Sequence, residues 1–200
     1  MKPRDPLFEL NFYTVYRRYV FEKFLAEFEN VFEFGCGTGY NLALLHETYP
    51  EKHIIGLDWT AASVEIANML GSTTSDHISG HRFDYFAPDY SITIPEKSAI
   101  ITFNSLEQVG SDYQPFLEFL LEKRPALCVN SEPILELYDQ ANLMDYVAAR
   151  YHRQRNYLTG YYPEIRHLAE EGKVRILKDQ RVQLGNQYHD GYSLLIWQIL

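Results

Sequence analysis

Three glycines at alternate positions, in Glu33-Phe34-Gly35-Cys36-Gly37-Thr38-Gly39, follow the apolar run Val31-Phe32-Glu33-Phe34 and precede the helical run Leu42-Ala43-Leu44-Leu45. No other feature restricts the fold as strongly. Glycine permits a tight turn and a close approach of backbone to a ligand, and the helix that follows presents N–H groups with no intrahelical partner. The loop is not a dinucleotide-binding G-x-G-x-x-G, because position 40 is Tyr40, and it lacks the G-K-[ST] of a phosphate-cradling loop. A strand that enters a helix this way begins a βαβ unit, so the rest of the chain is read for its continuation.

The continuation follows in order. His53-Ile54-Ile55-Gly56-Leu57 reads as a buried strand ending at Asp58, and Thr60 is placed to cap a helix reaching about Leu70. Ala99 to Phe103 and Ala126 to Val129 are further apolar runs, separated by a helix from Tyr113 to Lys123. Near-continuous apolar strands alternating with helices predict an α/β fold, a mostly parallel sheet with helices on both faces. The end of the chain departs from this pattern. Lys173 to Leu184 and Tyr192 to Leu200 are strand-like, and the residues from Gly185 to Gly191 are too few for a crossover helix, so a C-terminal antiparallel hairpin is expected. Asn142 to about Glu171 reads as helical with a break near Gly160-Tyr161-Tyr162-Pro163, and Phe12, Tyr16, Tyr19, Val20, Phe24 and Phe28 line one face of a leading helix. With no repeat or linker, residues 1–200 read as a single domain: a leading helical segment over 1–29 and a core over 30–200 with a helical insertion at about 141–171.

Composition narrows the functional classes. No run approaches the ~18 to 20 apolar residues of a membrane helix, and Met1-Lys2-Pro3-Arg4-Asp5 leads into no apolar signal region, so no membrane partner and a cytoplasmic location are expected. Cys36 and Cys128, the only cysteines, each sit in an apolar run, as a reducing compartment permits and a disulfide scaffold does not. A net charge of −9 disfavours a surface that neutralises phosphate chains, so no nucleic-acid partner is expected.

The E-x-G-x-G-x-G pattern resembles motif I of the class I S-adenosylmethionine-dependent methyltransferases, and three later landmarks agree. Asp58 lies 19 residues after Gly39, Arg82-Phe83-Asp84-Tyr85 comes next, and Phe103-Asn104-Ser105-Leu106-Glu107 closes the run from Ala99. The resemblance spans about Asn30 to Leu200. It implies a Rossmann-like seven-stranded sheet ending in the hairpin, methyltransferase activity, and S-adenosyl-L-methionine as cofactor. By the same resemblance Gly35, Cys36, Gly37 and Gly39 cradle the cofactor, Asp58 accepts from its ribose hydroxyls, and Glu33 engages its amino group directly or through water, the alternative for Glu33 being a strand residue satisfied by local amides. Asp84 accepts from the adenine amino group, Trp59 and Tyr85 belong to the same adenosine site, and Asn104 lies beneath the methionine moiety. Charge logic is consistent, since a sulfonium and an ammonium favour carboxylates and aromatic faces, and an acid inside Val31-Phe32-Glu33-Phe34 is otherwise costly to bury.

The acceptor side is read from position. Ligands of an open parallel sheet sit beyond the strands' carboxyl ends, which selects Asn104, Glu107 and Gln108, then Asn130 and Glu132, then Tyr188-His189-Asp190. His189 is either the general base for a hydroxyl acceptor, oriented by Asp190 or Glu132, or an exposed turn histidine; Glu107 and Glu132 are the other candidate bases. On a helix, His152 shares a face with Arg155 and Arg153 with Tyr157, giving either a basic and aromatic grip for an anionic or sugar-like acceptor or a solvated face. This half is similar, more loosely, to small bacterial methyltransferases of sugars and natural products. The expected reaction is methyl transfer to a hydroxyl of a small polar or carbohydrate-like acceptor. The alternatives are carboxyl or amine methylation of a natural product or peptide, and a non-catalytic cofactor-binding subunit. Asn104-Ser105-Leu106-Glu107 departs from the N-P-P-Y that resembles adenine methylation, and no Asp/Asp/Asn metal set aligns, so no metal is expected. Tyr13, Tyr16 and Arg17 of the leading helix either close over the cofactor or pack and snorkel.

Overall fold

The apolar runs become strands of one sheet. A computed structural model describes residues 4–74, 76–182 and 191–200. Its elements are α1 (Phe8–Phe24), β1 (Asn30–Phe34), α2 (Tyr40–Thr48), β2 (His53–Asp58), α3 (Ala61–Thr73), β3 (Ile78–Arg82), β4 (Ser98–Phe103), α4 (Gln114–Lys123), β5 (Leu127–Glu132), α5 (Leu143–Gln154), α6 (Tyr161–Glu170), β6 (Val174–Arg181) and β7 (Ser193–Ile199), with 3-10 turns at Leu106–Val109 and Leu135–Leu137. The strand order is β3-β2-β1-β4-β5-β7-β6. Strands β1 to β5 are parallel, and β7 runs antiparallel to both β5 and β6. The expected seven-stranded Rossmann-like sheet with its terminal antiparallel pair is present. Among the described residues no helix is long and apolar enough to cross a membrane.

Alternation along the strands divides the core into two layers. Phe32, Phe34, Ile100, Cys128 and Trp197 pack with Phe116 and Phe119 of α4 and Ile165 of α6. Val31, Ala99, Ile101 and Phe103 pack with Val20 and Phe21 of α1, Leu42 and Leu45 of α2 and Ala67 of α3. The steps β1 to β2 to β3 therefore carry their helices on the second face, and the step β4 to β5 carries α4 on the first. The direction reverses between β1 and β4, which is where open α/β sheets hold ligands.

Two elements differ from the sequence reading. β3, Ile78-Ser79-Gly80-His81-Arg82, is a short edge strand with one aliphatic side chain, too polar to be read from periodicity. Helix α1 ends at Phe24 and buries Tyr13, Tyr16, Val20 and Phe21, whereas Tyr19 is 47% exposed. Tertiary contacts set this rotation. The Tyr16 hydroxyl lies 2.9 Å from Ser131 Oγ, and the Tyr13 and Tyr16 rings pack on Tyr192 at 5.1 and 5.5 Å. Helix α1 thus lies over the carboxyl end of β5 and the entry to β7.

The insertion forms α5 and α6. Asn142 caps α5, accepting from the N–H groups of Met144 and Asp145. Arg181 at the end of β6 pairs with Asp145 at 3.0 Å, both side chains 7% exposed, lies over the Tyr138 ring at 4.0 Å and donates to the Tyr192 carbonyl at 3.0 Å. This network fastens α5 to the hairpin. The expected helix break falls earlier than Tyr161, between Gln154 and Gly160, with Gly160 opening α6.

Candidate functional site

The loop after β1 is held by main chain and one carboxylate. The N–H groups of Gly35 and Cys36 donate to the Leu57 carbonyl at 2.7 and 3.1 Å. Gly37 N–H donates to Asp58 Oδ2 at 3.0 Å, while Oδ1 accepts from the Thr60 N–H and hydroxyl at 2.8 and 2.9 Å. Gly35 has φ +75°, and a Cβ there would stand 2.2 Å from Ser105 Cβ, so glycine lets the turn after β4 close on the loop. Gly37 has φ +51°, and a Cβ there would meet nothing within 4 Å among the described residues. The backbone at Gly37 is therefore bare toward open space, as a cradle for a ligand requires. Gly39 precedes α2, which no side chain among the described residues caps. The Cys36 side chain turns inward against Gly56, and burial pushes its thiol up to about 12, so it serves the loop by packing.

Glu33 is 1% exposed. Its Oε1 accepts from Asn41 Nδ2 at 2.5 Å, and its Oε2 is buried with no hydrogen-bond partner among the described residues. Burial pushes its pKa from 4.5 up to about 8, against the opposing pull of the Asn41 bond and the Arg17 charge. Asn41 escaped the sequence reading, although a polar residue on the buried stripe Asn41, Leu42, Leu44, Leu45 was the signal for it. Ser105 escaped it too. Its hydroxyl donates to the Phe34 carbonyl at 2.7 Å and so accepts from the Tyr85 hydroxyl at 2.9 Å.

The remaining cofactor-side candidates differ in exposure. Trp59 is 68% exposed. Asp84 is exposed, with Oδ1 accepting from Phe86 N–H at 2.9 Å, and Tyr85 is anchored inward, its ring 4.7 Å from that of Phe116. Asn104 is half-buried at φ +51°, its N–H donating to the Ser131 carbonyl at 3.2 Å.

Of the acceptor-side candidates, four come together. Glu107 Oε1 accepts from the exposed Gln108 at 2.9 Å. The Leu158 N–H donates to the Glu107 carbonyl at 3.0 Å, which seats the segment after α5 against this turn. Arg155 in that segment lies 5.7 and 5.8 Å from the ring centroids of Tyr151 and Tyr157. The helical pairing expected of Arg153 with Tyr157 does not form, because α5 ends at Gln154 and the chain turns at Asn156, φ +54°, before Tyr157, whereas Arg155, the C-cap, keeps a helical place with its N–H donating to the Tyr151 carbonyl at 3.0 Å. His152 is 4% exposed, packed 5.3 to 5.9 Å from the Tyr138, Tyr151 and Tyr157 rings, so it belongs to the packing beneath Arg155 rather than to an exposed grip. Arg153 is exposed. Glu132 is fully buried, its oxygens accepting from the N–H groups of Ser105, Leu106 and Glu107, each at 3.2 Å. It anchors the turn that carries Glu107, and burial raises its pKa to about 7. Asn130 is likewise buried, its Oδ1 accepting from Trp197 Nε1 at 2.9 Å and Tyr161 at 3.2 Å. Tyr188, His189 and Asp190 lie outside the described residues.

No protein-family model matches the chain, and no curated protein matches its sequence. Solved structures do match. The methyltransferase domain of bacterial CtHen1 superposes with a TM-score of 0.62 over 96% of each chain, at 19% identity. The chain has the class I methyltransferase fold. The Streptomyces coelicolor geranyl diphosphate C-methyltransferase, solved with Mg2+, geranyl diphosphate and S-adenosyl-L-homocysteine, matches with a TM-score of 0.65 over 100% of this chain and 88% of that one, at 10% identity. Human N-acetylserotonin methyltransferase, solved with S-adenosylmethionine, matches at 0.65 over 92% of this chain and 52% of that one, at 16% identity. The names of these neighbours span unrelated acceptors, so the shared fold leaves the acceptor open.

Proposed function

We propose that this protein is an S-adenosylmethionine-dependent methyltransferase acting on a hydroxyl of a small polar, anionic or sugar-like molecule. The observation that carries the reading is the buried, half-satisfied Glu33 beside the bare backbone of Gly37, at the switch point of a class I sheet. The residues present fit the cofactor. Glu33 offers an acceptor to its ammonium, and Asp58 offers acceptors to its ribose, since a carboxylate provides about four lone-pair sites and only part of that capacity is used by Gly37 and Thr60. Trp59 and Asp84 stand on the rim where an adenine would lie. When bound, the cofactor supplies an electrophilic methyl group: an acceptor oxygen bonds to its carbon as the carbon–sulfur bond breaks, the electron pair stays on sulfur, and the hydroxyl proton leaves to a base.

The chain's own contribution is to position and to deprotonate. Glu132 holds the turn that presents Glu107 and Gln108, and Arg155 with Tyr157 supplies a cation and a ring face suited to an anionic or cyclic acceptor. His189 is the proposed base. Calorimetry with S-adenosyl-L-homocysteine tests the cofactor half. Asp58→Ala should weaken binding by ~1.5 to 3 kcal/mol, the range for hydrogen bonds to charged groups; unchanged affinity would remove Asp58 from the site. Isotopically labelled methyl donor incubated with a fractionated cell extract tests the acceptor half, and labelling confined to amines or carboxylates would replace the hydroxyl reading.

A further inference from the structure

Helix α1 carries no motif, yet it brings Arg17 into the layer that holds Glu33. Alternation puts Glu33 on the same face of β1 as Val31, the face covered by α1 and α2. The Arg17 guanidinium carbon lies 5.2 Å from the ring centroid of Tyr40, 5.9 Å from that of Phe103 and 5.5 Å from that of Tyr13. Tyr40 opens α2 directly after Gly39, and Phe103 closes β4. The cation therefore sits where the glycine loop, the start of α2 and the end of β4 meet. Asn41, the next residue of α2, holds Glu33.

Three buried polar atoms in this group have no hydrogen-bond partner among the described residues: Arg17 Nε, Glu33 Oε2 and Asn41 Oδ1. Arg17 as a whole is half-buried, so part of it reaches water as a snorkelling arginine does, but its Nε is buried. Native interiors pair almost all such atoms, so three orphans in one place call for a partner. Their types specify it. One is a cationic donor and two are acceptors, the complement of a carboxylate and an ammonium carried together. We propose that Arg17 binds the α-carboxylate of the cofactor's amino-acid end while Glu33 and Asn41 bind its α-ammonium, making α1 a wall of the cofactor site. The aromatic rings of Tyr13, Tyr40 and Phe103 around the guanidinium hold it in place. The raised pKa of Glu33 agrees, because an acid left without its counter-charge in a dry site retains its proton.

The proposal rests on the cofactor reading above, and matched ligand pairs separate the two. S-Adenosyl-L-homocysteine and 5′-methylthioadenosine are both thioethers, and only the first has the amino-acid end. S-Adenosylmethionine and its decarboxylated form are both sulfonium ions, and only the first has the carboxylate. In calorimetry the wild-type protein should bind S-adenosylmethionine more tightly than the decarboxylated form. Arg17→Gln should weaken S-adenosyl-L-homocysteine by about 10- to 100-fold, as loss of a charge-assisted bond does, and leave 5′-methylthioadenosine and decarboxylated S-adenosylmethionine unchanged. Arg17→Lys, which keeps the charge and loses the fork, should show the same selectivity to a smaller degree. Equal wild-type affinity for S-adenosylmethionine and its decarboxylated form, or an equal loss for all ligands in both variants, would overturn the role of Arg17 while leaving the methyltransferase reading intact. Wild-type protein that binds none of the four would overturn both.

Discussion

The two sides of the candidate site are built on different terms. On the candidate cofactor side, Glu33 to Gly39 and Asp58 form a compact set in which main-chain bonds to Leu57 and one carboxylate fix the loop. On the acceptor side, Glu107, Gln108, Arg155 and Tyr157 come from a 3-10 turn and the segment after α5, held together by a buried Glu132 and by the Leu158 N–H. The first depends on local backbone conformation and the second on long-range packing. A site of the first kind tolerates little change in its own residues, whereas one of the second kind is free to vary its acceptor while the scaffold stays.

The largest expected effect tests whether chemistry and cofactor affinity are separable across this divide. If the acceptor is a hydroxyl and His189 is its base, His189→Ala should lower kcat by roughly 10² to 10⁴ with the affinity for S-adenosyl-L-homocysteine unchanged. A rate within about threefold of wild type and an unaltered pH–rate profile would remove His189 as the base. The cofactor side should respond in the opposite way. Gly37→Val places a branched side chain at φ +51° in the open space of the cradle, and strain plus occlusion should raise the Kd for S-adenosyl-L-homocysteine on the order of 100-fold while the far-UV spectrum stays that of a folded protein. A folded variant that binds normally would show that the bare backbone at Gly37 does not face the ligand.

The same contrast explains what could be read from the sequence. The glycine loop, Asp58 and the Thr60 cap were legible because each is set by its neighbours in the chain: positive φ, a strand end, a side chain that accepts from Ser63 N–H. The sheet was legible because apolar runs alternate with helices. Periodicity failed where a tertiary contact decides orientation. Tyr19 fits the helical stripe, but Ser131 and Tyr192 draw Tyr16 and Tyr13 inward and leave Tyr19 exposed. Arg153 and Tyr157 share a face only on a helix that continues, and α5 stops before Tyr157. For Arg17 the sequence leaves two roles open, closing over the cofactor or snorkelling, because its setting is made by the distant residues 40 and 103.

The smallest effect compares two buried acids. Glu33 and Glu132 are both raised from 4.5, to about 8 and about 7, with burial the first cause in each. Because the folded values exceed the unfolded ones, the native state holds more protons than the unfolded state between about 4.5 and 8. Their contribution to stability is therefore fully present below 4.5 and is lost as pH rises through about 7 and then 8. The acids differ in what surrounds them: Glu132 already has three N–H donors, whereas Glu33 Oε2 has no donor among the described residues. Glu33→Gln should flatten the upper part of the fall in Tm and leave a decline that ends near pH 7, the part due to Glu132. An ammonium placed beside Glu33 lowers its pKa, so S-adenosyl-L-homocysteine should flatten the same part, and its binding at pH 7 should release a fraction of a proton, read by calorimetry in buffers of different ionisation enthalpy. If Glu33→Gln leaves the Tm profile and the proton release as they are in the wild type, Glu33 is a satisfied strand residue and the ammonium lies elsewhere.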